Sequence, residues 1–172
     1  MIISRAWAMP SPQTFTIKPI RQLLQNYVKG GWWIDPFAGN NSPASNKNDI
    51  DSTTNVVHHL EGLEYLQSIP TNSHDGCLFD PPYSPRQLSE VYKKFGRSVN
   101  MQTTQSSYWA KCRDEIKRII KVGGMVISFG WNSCGIGKTR GFEIVEILLV
   151  SHGGGHNDTI CTVETKQKEE TK

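Results

Sequence analysis

Apolar positions along this chain fall into short clusters whose spacing switches between helical and strand-like. Ile20, Leu23, Leu24 and Tyr27 share one face of a helix over 17–28, which Gly30-Gly31 ends. Trp32-Trp33-Ile34 then reads as a short buried strand running into Asp35. The stretch 40–55 is rich in Asn, Ser and Asp and reads as a polar connection. Over 56–69, Val57, Leu60, Leu63 and Leu66 predict a second helix, closed by Pro70. Gly76-Cys77-Leu78-Phe79 is a compact apolar strand leading into Asp80, whereas 84–107 has no clean period. Trp109, Cys112, Ile116, Ile119 and Ile120 form the stripe of a helix over 108–122, with Gly123-Gly124 as its stop. The segments 125–129, 142–150 and 159–163 read as strands, the last two separated by Gly153-Gly154-Gly155.

Helices alternating with apolar strands predict an α/β fold built on a mostly parallel sheet. The closing strand–turn–strand predicts an antiparallel C-terminal hairpin at one edge. A chain of 172 residues suits one domain, 1–165, followed by a solvated charged tail at 166–172. The formal net charge of +3 permits a polyanionic partner without demanding one. No apolar run nears the roughly 18 residues of a membrane span, and residues 1–12 lack the pattern of a signal peptide. Cys77, Cys112, Cys134 and Cys161 are scattered without Cys-x-x-Cys spacing, which argues against a zinc site or disulfide scaffold. They read as free core thiols in a reducing cytoplasm.

Chemistry concentrates where strands end. In a parallel sheet, ligands sit outside the carboxyl ends of the strands. Two predicted strands end in Asp followed by Pro: Asp35-Pro36-Phe37-Ala38-Gly39 and Asp80-Pro81-Pro82-Tyr83. Proline cannot donate to a ladder, so each pair marks a strand end and a stiff turn above the sheet. The Asp80 carboxylate and a carbonyl of the proline turn are two acceptors, matching the two N–H donors of an exocyclic amino group. Tyr83 offers a flat face on which a flipped base can stack.

Asp80-Pro81-Pro82-Tyr83 resembles the catalytic motif of amino-methylating DNA methyltransferases, the N6-adenine and N4-cytosine enzymes. Asp35-Pro36-Phe37-Ala38-Gly39 is similar to that family's cofactor loop, and Thr14-Phe15-Thr16-Ile17-Lys18-Pro19 to its N-terminal cofactor segment. Ile119-Ile120-Lys121-Val122-Gly123-Gly124 resembles a common methyltransferase helix-to-strand junction. The run from Asp80 to Glu164 resembles small phage and prophage adenine-specific methylases. The resemblance implies a Rossmann-like class I methyltransferase fold and S-adenosyl-L-methionine as cofactor. It also implies DNA as substrate, with RNA as a further option, and adenine N6 as the target, because Asp rather than Ser opens the motif.

Roles follow position by position from the resemblance. Phe15, Thr16 and Lys18 belong to the cofactor segment. Asp35 and the loop Pro36, Phe37, Ala38, Gly39 face the methionine part. Asp49 or Asp51 accepts from the ribose hydroxyls, Ile50 packs on the adenine, and Glu61 accepts from its amino group. Phe79 and Asp80 lie where cofactor and target meet. Arg86, Lys93, Lys94 and Arg97, inside a target-contact insertion at 84–107, are candidate nucleic-acid contacts.

Two departures from the family pattern carry consequences. Asn40-Asn41 replaces the usual second glycine, and nine residues separate Gly39 from Asp49, too few for a helix and a strand. The helix after the cofactor loop is therefore expected to be missing or reduced to a turn. Room for a separate recognition domain is also lacking, which leaves open a homodimer, a partner subunit, or a non-catalytic subunit of this fold. Gly135-Ile136-Gly137-Lys138-Thr139 lacks the upstream glycine of a phosphate loop and reads as a basic loop, with Lys138 near DNA phosphates. His152 and His156 have metal-like spacing, but the intervening glycines predict a surface turn.

Overall fold

A computed structural model describes residues 1–82 and 106–168. In chain order the elements are β1 (Ile2–Trp7), α1 (Lys18–Tyr27), β2 (Trp33–Asp35), β3 (Asn46–Lys47), α2 (Gly62–Ser68), β4 (His74–Phe79), α3 (Ser106–Ile119), β5 (Ile120–Gly130), β6 (Phe142–Ser151) and β7 (Thr159–Lys166). The strands form one sheet in the order β1-β6-β7-β5-β4-β2-β3. Only β7 runs antiparallel to its neighbours.

Alternation along the strands sends side chains to two cores, one on each face. Ile20, Leu23 and Leu24 of α1 pack with Leu78, Ile127, Phe129, Cys161 and Val163. On the other face, Leu66 of α2 and Cys112, Ile116 and Ile119 of α3 cover Cys77, Phe79 and Val126.

Several sequence expectations change for identifiable physical reasons. The C-terminal hairpin is present but not at an edge: β7 inserts between β5 and β6, and β1 pairs parallel with β6 outside it. Residues 2–7 form that edge strand despite little apolar alternation, because β6 offers a free backbone edge. Ile2, Ile3 and Trp7 on it stay largely exposed.

The helix expected over 56–69 is only Gly62–Ser68. The buried amide of Asn48 holds Leu60 by both its N–H and its C=O, and His58 pairs with Asn48 as a parallel bridge. The segment before Glu61 is therefore drawn out alongside β3, and Val57 points to solvent. Glu61 caps the shortened helix by accepting from the Leu63 N–H at 3.0 Å.

Helix α3 ends at Ile119 and passes straight into β5. Its last carbonyls are capped from outside: the N–H groups of Asn72 and Ser73 reach Arg118 and Ile119 at 3.0 and 2.9 Å. The Lys166 ammonium donates to the carbonyls of Lys117 and Ile120, both at 2.7 Å. A cation at a helix C-terminus also suits the helix dipole. Lys166 is thus a buried strand end, not the first residue of a solvated tail. Gly123 and Gly124 lie within β5, where the pairing with β4 shifts register.

β5 and β6 run parallel, so a crossover must join them, usually a helix. Here 131–141 is an extended segment with one 3-10 turn, Lys138–Arg140. It is anchored by the fully buried Glu164 on β7, whose carboxylate accepts from the N–H groups of Ile136 (2.6 Å) and Gly137 (2.9 Å). The loop that superficially looks built for phosphate thus already holds an internal anion. A Cβ at Gly135 would overlap that carboxylate. Burial raises the Glu164 pKa, against the two N–H groups and the Arg113 charge, which lower it. Glu164→Ala leaves two buried N–H groups unpaired and is expected to cost about 2–4 kcal/mol. A lower urea midpoint, with Glu164→Gln falling between the two, checks it.

Candidate active site

Asp35 and Asp80 follow the same edge of the sheet. β2 and β4 are parallel neighbours, so both carboxylates emerge at the carboxyl ends of adjacent strands. Their charges interact, since Asp80 and Asp49 both raise the Asp35 pKa.

Asp35 is completely buried. Its Oδ1 accepts from the Phe37 N–H at 2.9 Å, and its Oδ2 from the Ser42 hydroxyl at 2.6 Å. It therefore shapes the loop from beneath. Burial, the largest influence, outweighs those two hydrogen bonds and pushes its pKa from 3.8 up to about 7. Because the unfolded carboxyl ionises earlier, the folded state holds the extra proton. The stability from that proton is complete below about pH 4 and is lost as pH rises to about 7. The shift corresponds to at most about 4 kcal/mol. Asp35→Asn keeps the shape of the contacts, so its unfolding free energy is expected to fall less over that pH window. Urea titrations of both proteins from pH 4 to 8 measure this difference.

The loop after β2 contains no helix, as the short Gly39–Asp49 spacing predicts. It is organised by side chains instead. Gly39, with φ at +51° and open space where a Cβ would sit, donates its N–H to Asp49 Oδ2 at 2.7 Å. Asp49 Oδ1 accepts from the Asp51 N–H at 2.8 Å. Asn48, fully buried, donates to the carbonyls of Pro36 and Leu60, each at 3.0 Å, and accepts from the Leu60 N–H at 2.8 Å. Asn48 and Ser42 were not singled out from sequence, because polar residues in an Asn- and Ser-rich stretch read as solvated connection.

Phe37 turns toward α3 and meets Phe79 and Trp109, each with ring centroids 6.0 Å away. A Cβ on Gly62 would come within 2.6 Å of the Phe37 ring, so a glycine there lets α2 seat the loop. Tyr108 at the start of α3 donates its hydroxyl to Glu61 Oε1. Phe15 packs edge-on against Phe129 at 5.2 Å and belongs to the core. Thr16 and Lys18 are exposed, Ile50 is half-buried, and Asp51 Oδ1 accepts from the N–H and hydroxyl of Thr53. The Asn41 amide donates to Gln13 Oε1 at 2.9 Å, joining the N-terminal segment to the loop after β2.

Tyr83, Arg86, Lys93, Lys94 and Arg97 lie outside the described residues. Lys138 is exposed just before β6, which starts at the end of the sheet opposite Asp35 and Asp80. The fold therefore does not bring Lys138 to them. Nor do the histidines form a surface pair. His152 is buried, with Nδ1 2.9 Å from the Ala8 carbonyl and Nε2 2.9 Å from the Thr159 hydroxyl, while His156 is exposed. No metal-ligating cluster occurs among the described residues, and no helix among them is long and apolar enough to cross a membrane. Cys77, Cys112 and Cys161 are buried and Cys134 is exposed.

The fold is the Rossmann-like fold of S-adenosylmethionine-dependent methyltransferases, and solved structures of that class superpose on most of the chain. The chain is similar to the putative methyltransferase YhhF from Escherichia coli (TM-score 0.53, 11% identity), with 93% of this chain and 92% of that one aligned. It is similar to the N-methyltransferase NodS from Bradyrhizobium japonicum (0.54, 10% identity, 88% and 96%). It is also similar to TrmN from Thermus thermophilus (0.52, 16% identity), where it covers 87% of itself but spans about half of that chain, 49%. No protein-family model and no curated protein matches the sequence.

Proposed function

We propose that this protein transfers a methyl group from S-adenosylmethionine to the exocyclic amino group of a nucleic-acid base, with adenine N6 in DNA as the target. The observation that carries the reading is the placement of Asp80, followed by two prolines, at the end of β4 beside the Asp35 loop.

The residues present suit the cofactor. Asp35, Asp49 and Asp80 interact electrostatically at one end of the sheet, and a cationic ligand is favoured there. Open space over Gly39 admits close approach to the loop backbone. The loop 36–39, Asp49 and Asp51 would hold the cofactor, which when bound supplies an electrophilic methyl group. The 1,6-didemethyltoxoflavin-N1-methyltransferase of Burkholderia thailandensis, similar in fold (TM-score 0.56, 9% identity, 86% of this chain and 76% of that one), was solved with S-adenosylhomocysteine.

Asp80 and a carbonyl of the proline turn accept from the two N–H groups of the target. They orient the nitrogen lone pair and favour the positive charge developing on it. The stiff Pro81-Pro82 turn sets that geometry in advance. Held this way, the nitrogen would take up the methyl group that the bound cofactor supplies as its carbon–sulfur bond breaks, with S-adenosylhomocysteine leaving and one N–H proton lost to solvent, and no covalent bond to the protein would form. Consistent with this, the Cys77, Cys112 and Cys161 thiols are buried, and desolvation raises their pKa. The test is incubation with labelled S-adenosylmethionine and unmethylated DNA or RNA, followed by nucleoside analysis. N6-methyladenine is expected. N4-methylcytosine would move the target, and no labelled nucleoside would overturn the reading.

One observation favours a second reading, a non-catalytic subunit of this fold. Asp35, Asp49 and Glu61 all accept hydrogen bonds from the protein itself. Calorimetry separates the two, since no heat at millimolar S-adenosylmethionine fits only the subunit.

A further inference from the structure

The sheet ends in two unlike edges. β3 contributes two residues to one, whereas β1 contributes six to the other. β1 pairs with β6 in unbroken register, from Ile2 opposite Glu146 to Trp7 opposite Ser151. Its other side has no partner strand among the described residues, so alternate N–H and C=O groups face outward. Exposed edges are usually blunted by proline, by a bulge or by several charges. β1 has neither proline nor bulge, and its one charge, Arg5, is turned back over its own sheet by a 3.1 Å bond from Nε to Ser151 Oγ.

Ala6 packs into the core beneath α1, so alternation sends Ile3, Arg5 and Trp7 to the opposite face. Ile3 and Trp7 are 64% and 66% exposed there. Beside them in register stand Ile147 and Leu149 of β6, then Ile160 of β7, all half-buried and in neither core. α2 and α3 cover this face over β4 and β5, and their cluster reaches β6 only at Phe142. A crossover helix between β5 and β6 would ordinarily lie over such a face, but here the crossover is an extended segment. Met1, Ile2, Ile3, Trp7 and Met9 are each 59–77% exposed. At roughly 150–250 Å² per large side chain, they present on the order of 600 Å². That is the upper end for a lone monomer, and it approaches the ~800 Å² per partner of a stable interface.

We propose that β1 is a dimerisation edge: a second copy of this chain adds its own β1 antiparallel, and one sheet runs through both. Identical strands pair this way about a two-fold axis normal to the sheet, which keeps equivalent faces on the same side. Each copy therefore covers the apolar row of the other with its own. Centring the pair on Arg5 would set two guanidinium groups directly opposite each other, which is unfavourable. Centring it on Ser4 sets Arg5 opposite Ile3 and Trp7 opposite Met1, and lets the aliphatic stem of Arg5 lie across Ile3. The inference is independent of the methyl-transfer reading. Because the paired strands are antiparallel, the Asp35–Asp80 ends of the two copies face opposite ways.

Sedimentation equilibrium of the full chain across the micromolar range is expected to show a monomer–dimer equilibrium. Ile3→Lys places a second cation opposite Arg5, twice over by symmetry, and is expected to raise Kd at least about tenfold. Ile3→Glu places an anion there and is expected to dimerise more tightly than Ile3→Lys by a similar factor. Both changes fall on an exposed side chain, which the fold tolerates. Independently, Ser4→Cys is made in a Cys134→Ser background that removes the exposed native thiol. It is expected to cross-link two chains on oxidation, since residues at the two-fold stand within disulfide reach. A monomer throughout the concentration range overturns the proposal. So does a dimer that Ile3→Lys leaves intact and Ser4→Cys fails to cross-link, because its interface lies elsewhere. Equal Kd values for Ile3→Lys and Ile3→Glu would overturn the pairing centred on Ser4.

Discussion

Asp80→Ala is expected to abolish methyl transfer while leaving S-adenosylmethionine binding largely intact. Asp80 sits one residue past the end of β4, and its neighbours Phe79 and Leu78 are fixed in the two cores. On the proposed reading, losing its carboxylate removes an acceptor that acts on the target nitrogen in the transition state. Loss of one such group typically lowers kcat about 10²–10³-fold, or ~3–4 kcal/mol. The Asp35 loop and Asp49 are tied by their own hydrogen bonds and stay in place. A rate assay paired with cofactor calorimetry therefore separates chemistry from binding. Equal losses of both would show that the substitution disturbed the whole sheet edge. Full activity would remove Asp80 from the mechanism.

A second large effect is expected in stability. Asn48→Ala deletes an amide that makes three hydrogen bonds to three backbone groups and is fully buried. The carbonyls of Pro36 and Leu60 and the N–H of Leu60 lose their partner together, and no helix in 36–61 can take them over. A network of this kind fails as a unit, so a loss of about 3–5 kcal/mol is expected. That corresponds to roughly 6–20 °C in the midpoint for a domain of this size. Asn48→Asp keeps the acceptor toward Leu60 N–H but turns both carbonyl contacts repulsive, so it is expected to be no milder. Thermal unfolding of both variants measures this. Cofactor affinity is expected to fall with stability, because the same amide holds the loop 36–39 against the segment that leads to Glu61.

The elements with the strongest patterns were legible in the sequence. Ile20, Leu23 and Leu24 mark α1, and Cys112, Ile116 and Ile119 mark α3, because a stripe at helical spacing has one low-energy way to be buried. The two Asp-Pro turns were readable because proline stops a ladder wherever it stands. The count between Gly39 and Asp49 excluded a helix there by length alone. The aromatic face of Tyr83 and the basic residues of 84–107 rest on the sequence and on the resemblance it carries.

Other features became definite only in three dimensions. A residue's backbone partners can lie far along the chain, and local spacing carries no trace of them. Val57 and Leu60 have helical spacing, yet Asn48 pulls that segment straight. Lys166 has the composition of a tail, yet it closes the end of α3. His152, read as surface, is buried between the β1 end and Thr159. Glu164 shows the same limit from the other side, since a carboxylate in a strand gives no sign that a glycine loop will wrap it. Proline, helical periodicity and segment length act locally, so the sequence by itself determined the α/β class and the two Asp-Pro strand ends. The position of β7 inside the sheet and the tethers at Asn48 and Glu164 follow from which distant segments meet. Only the tertiary structure decided those.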